Sequence, residues 1–112
     1  MNKNIWYAYD EGKTLGNPGS ENGRIRLDEE YPLGTRITLE EGGYQAWSIT
    51  CGIYGCMFHT AFALTESEAH KKYDEMKTEI GQFLEHIQSD AVLEDEAPIV
   101  VSEWCEKFVD KF

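Results

Sequence analysis

The stretch YQAWSITCGIYGCMFHTAFAL, residues 44–64, decides how this chain folds. It is too long for one ordinary strand, and Gly52 and Gly55 punctuate its middle, so it reads as a β-hairpin. Whether the loop is Gly52 to Gly55 or only Ile53-Tyr54, the antiparallel register is the same. Cys51 then faces Cys56, Ile49 faces Phe58, Ser48 faces His59 and Trp47 faces Thr60. Alternation along each strand gathers Gln45, Trp47, Ile49, Cys51, Cys56, Phe58, Thr60 and Phe62 on one face, which is large, apolar and expected to meet the core. The opposite face carries Tyr44, Ala46, Ser48, Thr50, Met57, His59, Ala61 and Ala63.

That second face has two readings. Its small residues allow a helix to pack closely over it. Left open, it makes Tyr44, Ser48, Thr50, Met57 and His59 a shallow ligand or peptide site, with Ser48 opposite His59 as the one pair resembling a nucleophile and its base. No carboxylate or oxyanion donor at a readable spacing completes a catalytic set, so no catalytic residue is assigned.

Upstream, Ile5-Trp6-Tyr7-Ala8-Tyr9 reads as a first strand, and the turn formers from Asp10 to Gly23 read as a surface loop. Arg24-Ile25-Arg26-Leu27 alternates as a second strand, Asp28 to Gly34 interrupts, and Arg36-Ile37-Thr38-Leu39-Glu40 is a third. Downstream, Thr65-Glu66-Ser67-Glu68 is a capping box that starts a helix. Its apolar stripe (Ala69, Tyr73, Met76, Ile80, Phe83, Leu84, Ile87) carries it from about 65 to 88. After an acidic connector from Ser89 to Glu96, Pro98 suits a first helical turn. Val101, Trp104, Cys105, Phe108, Val109 and Phe112 then follow helical spacing through 98–112, unless Ile99-Val100-Val101 forms a short strand first. The expectation is one α+β domain over residues 1–112: an antiparallel sheet of four to five strands followed by two amphipathic helices, at least one covering the apolar sheet face.

Composition limits the functions open to such a domain. Asp and Glu number 21 against 10 Lys and Arg, a formal net charge of -11, so phosphate backbones and anionic membranes are repelled. The charge serves solubility, or it selects a basic protein partner. The first residues lack the apolar run of a signal peptide, and the odd cysteine count (Cys51, Cys56, Cys105) fits a reducing cytoplasm.

Gly12-Lys13-Thr14 lacks the upstream glycine of a phosphate loop, Tyr7 standing in its place, and no dinucleotide or calcium-loop motif occurs. Cys56 and His59, three apart on one strand, point to opposite faces and do not make a zinc site; no metal or other cofactor is expected. His70, between Glu66 and Asp74, reads as a solvated, ion-paired histidine. The acidic clusters Asp28-Glu29-Glu30, Glu40-Glu41 and Glu94-Asp95-Glu96 are placed at turns and connectors, where their convergence would make a docking patch. These features lead to a small acidic, non-enzymatic binding or inhibitor module for a basic protein, immunity or antitoxin-like. A ligand-binding protein or enzyme using the face around Ser48 and His59 is the alternative.

Overall fold

The computed structural model describes residues 6–31, 34–53, 57–87 and 97–112. Five strands form one antiparallel sheet in chain order: β1 (Tyr7–Ala8), β2 (Arg24–Tyr31), β3 (Thr35–Glu41), β4 (Trp47–Ile53) and β5 (Met57–Ala63). Two helices follow, α1 (Glu66–Ile87) and α2 (Ala97–Lys111). This is the α+β arrangement that the sequence pattern implies.

The N-terminus of α1 is set as the capping pattern predicts: the Glu68 amide donates to Thr65 Oγ1 at 3.2 Å. Its stripe of Ala69, Tyr73, Met76, Ile80, Phe83 and Leu84 is buried against the inner face of the sheet, where Ile37, Leu39, Trp47, Ile49 and Cys51 stand. α2 lies against α1 through a run of rings. Phe83 stacks on Trp104 at 4.2 Å, Trp104 on Phe108 at 4.8 Å, and Phe108 meets Phe112 at 4.8 Å. Lys111 pairs with Glu79 across the two helices.

Three expectations are corrected. Asp28-Glu29-Glu30-Tyr31 does not interrupt the sheet but completes β2, paired with Thr38, Ile37, Arg36 and Thr35. Asp28 and Glu29 tolerate strand geometry because both find partners there. Asp28 meets Arg36, Thr38 and Thr14, while Glu29 accepts Tyr73 Oη at 2.6 Å and Lys77 Nζ at 2.9 Å from α1.

The β4–β5 register is the second correction. Ile53 pairs with Met57, Cys51 with His59, Thr50 with Thr60 and Ser48 with Phe62. Three residues separate the pair Ile53 and Met57, where the expected hairpin has an even number between paired positions. An odd number turns every side chain of β5 to the other face. Ala61 and Ala63 thereby lie buried on the inner face, where their size lets α1 approach, and Phe58 and Phe62 point outward, 75% and 44% exposed. The first strand is also shorter than the expected 5–9: Ile5 lies outside the described residues, and Tyr9 begins a tight turn to Gly12. The cluster Glu94-Asp95-Glu96 likewise lies outside the described residues. Among the described residues, no helix is long and apolar enough to cross a membrane.

Candidate binding site on the outer face of the sheet

Both helices pack on the inner face, so the outer face is built from strand side chains alone and from the loop before β2. Register sets them in three rows. Glu30, Arg36, Gly52 and Phe58 form the first; Asp28, Thr38, Thr50 and Thr60 the second; Ile25, Glu40, Ser48 and Phe62 the third.

The second row is a hydrogen-bonded polar ladder. Asp28 receives Arg36 in a two-pronged ion pair, Nε to Oδ1 at 2.9 Å and Nη2 to Oδ2 at 2.6 Å. Thr38 Oγ1 donates to Oδ1 at 3.1 Å, Thr14 Oγ1 to Oδ2 at 2.8 Å, and Thr50 and Thr60 share a bond of 3.1 Å. The bond to Asp28 is the main reason that the Arg36 guanidinium is held above its ordinary pKa. The turn at Tyr9 lays its ring 3.7 Å from the guanidinium carbon, fixing the arginine from above.

The third row anchors the loop. Glu40 is fully buried, and its carboxylate accepts the amides of Glu21 and Gly23 at 3.2 and 3.1 Å. Gly19 passes so near that a Cβ there would overlap this carboxylate, which explains a glycine at that point. Bonds from Gly16 N to Ile25 O (2.8 Å) and Ile25 N to Asn17 O (3.0 Å) tie the loop to β2.

Between loop and sheet lies a hollow of about 340 Å³. Gly52, Thr50 and Thr38 floor it, Phe58 and Arg36 stand at its sides, and Pro18, Gly19 and Ser20 form its rim.

The residues expected to share a site are dispersed. Ser48 and Thr50 do lie on the outer face, Thr50 on the floor of the hollow. His59 is on the inner face beside Cys51, its ring 6.2 Å from that of Phe108 and its Nε2 buried. Ser48 and His59 therefore cannot act as nucleophile and base. Tyr44 is exposed in the turn before β4, and Met57 opens β5 opposite Ile53, its side chain outside the described residues.

Cys51 faces His59 rather than Cys56, which lies outside the described residues; burial pushes the Cys51 thiol up to about 12, that of an inert core group. Among the described residues no cluster of His, Cys, Asp or Glu could hold a metal ion. The pattern missed Arg36, Gly52, Phe58 and the loop rim. A glycine inside a strand was the available signal, since it marks a position where something approaches the backbone closely.

Compared with known protein families, with curated proteins and with solved structures, the chain matches none of them.

Proposed function

We propose that this chain is a small acidic, cytoplasmic, non-enzymatic binding module that docks a basic protein partner through the outer face of its sheet, in the manner of an immunity protein or antitoxin. One observation carries the reading: Phe58 and Phe62 stand exposed on the edge strand beside a formed hollow. Exposed aromatics at and near a concave site are typical anchors of a protein interface, and a monomer gains nothing by wetting them. The acidic clusters do not carry the reading as a converged patch. Asp28, Glu29 and Glu40 are engaged inside the fold and Glu41 pairs with Arg26, so they form no free docking patch. Among the described residues of the three rows and the hollow's lining, however, Arg36 is the one cation beside Asp28, Glu30 and Glu40, and this leaves a negative field for a basic partner.

A second reading, a small-ligand site, is favoured by the volume of the hollow, which falls in the range of about 300–1,000 Å³ usual for ligand pockets. A photo-crosslinking residue placed at Phe58, with the same residue at exposed Gln82 on α1 as control, tests docking in cells. The expected result is one basic protein crosslinked at 58, absent at 82 and lost as salt is raised. Equal labelling at both positions rejects the docking reading.

A further inference from the structure

We infer that the hollow between Phe58 and Arg36 is a socket for a single tryptophan or tyrosine side chain carried on a basic segment of the partner. The inference rests on the docking reading and specifies what enters the site. In the first row, Gly52 stands between two large side chains and contributes none of its own. Adjacent strands are about 4.8 Å apart, so the Cα atoms of Arg36 and Phe58 are separated by about 10 Å across Gly52. Allowing about 3.5–4.0 Å for each non-bonded contact, the gap accepts the thickness of one flat ring standing on edge over the glycine, its faces toward Phe58 and Arg36.

The chemistry of the walls selects the same occupant. Phe58 offers a ring, and Arg36, whose guanidinium already carries the Tyr9 ring on one face, lines the hollow with the same planar cation. The floor is not apolar: Thr38 and Thr50 line it with Gly52, and their hydroxyls, bonded to Asp28 and Thr60, keep acceptor lone pairs for an indole N–H or a phenol O–H. A leucine or methionine would leave that polar floor unmatched, whereas tryptophan and tyrosine carry both a ring and a polar end. Charge sets the rest of the segment. Glu30 lies beyond Arg36 in the same row, so a lysine or arginine flanking the ring on that side meets a carboxylate.

The probe is a short lysine-rich peptide with one central tryptophan, titrated into the isotope-labelled full chain and followed by amide NMR shifts. Shifts at Gly19, Thr50, Gly52 and Phe58 are expected, with α1 amides unmoved. The same peptide with alanine for tryptophan, or with glutamates for lysines, is expected to bind at least about tenfold more weakly. Gly52→Val fills the socket and Phe58→Ala removes a wall; each is expected to weaken the tryptophan peptide by a similar factor, with the remaining spectrum intact. Shifts of equal size with the alanine peptide, or shifts confined to other surfaces, overturn the inference. A partner crosslinked at 58 together with no socket shifts would refute the socket and leave docking standing.

Discussion

Glu40 shows how one buried carboxylate shapes the outer face. It is acidic, central in the sheet and without solvent, yet two backbone amides of the loop donate to it and no cation is needed. Glu40→Gln preserves the shape but presents an amide group where the site supplies donors, leaving one donor unmatched. A loss of roughly 1–3 kcal/mol in urea denaturation is expected, with faster hydrogen exchange at Glu21 and Gly23. Gly19→Ala strikes the same contact from the other side. Overlap with the carboxylate is expected to cost roughly 1–3 kcal/mol, as overpacking does. A melting curve unchanged by either substitution would show that the loop does not rest on Glu40. Cys51 makes a quieter test. Its thiol is buried and pushed up to about 12, so an alkylating reagent near neutral pH should leave Cys51 unmodified in the native chain and modify it after unfolding. Peptide mass spectrometry reads both states.

At the level of elements, β5 separates what the sequence discloses from what it does not. Two registers give opposite forecasts for the same residues. With Phe58 in the core, truncating it would cost about 3–5 kcal/mol. With the observed register, Phe58→Ala and Phe62→Ala should each stay within about 0.5 kcal/mol. Ala61→Leu, forced between β5 and α1, should destabilise by about 1–3 kcal/mol. Chemical denaturation of the three variants decides between them.

The helices were legible because periodicity of three and four residues is a long, redundant signal, and Thr65 and Glu68 mark the start of the first one. The strands of the sheet were legible by alternation. The face of β5 was not, because it depends on whether an even or odd number of residues separates the last paired positions, and glycines at 52 and 55 permit both. Hydrophobicity also misled: two phenylalanines ordinarily mark the inner face, but the neighbouring alanines leave room for α1, and tertiary packing prevailed. The same error placed His59 beside Ser48. The extent of β2 was hidden for another reason, since Asp28 and Glu29 become acceptable in a strand only when Arg36, Tyr73 and Lys77 arrive from elsewhere in the chain.

For the molecule as a whole, the link between Tyr73 and Glu29 joins the helix layer to the second strand across 44 residues of sequence, and it makes stability depend on alkaline pH. Burial first, and then the hydrogen bond to Glu29, raise the phenol above its ordinary value of 10.0. Above that value the unfolded chain releases the proton while the folded chain keeps it, so the unfolded state binds fewer protons and stability falls with pH. The contribution of the neutral phenol is complete below pH 10.0 and is lost progressively as the pH rises toward the folded value. One such group gives a slope of at most about 1.4 kcal/mol per pH unit. Tyr73→Phe keeps the ring and removes the titration. At neutral pH it is expected to cost about 1 kcal/mol for the lost bond, with Glu29 still held by Lys77. Between about pH 10 and 11 its urea midpoint should fall less steeply than that of the parent chain, because the substitution removes the phenol whose ionisation folding opposes. Parallel slopes for the two proteins would mean that Tyr73 ionises in the folded state, and that the contact between α1 and β2 opens before the fold does.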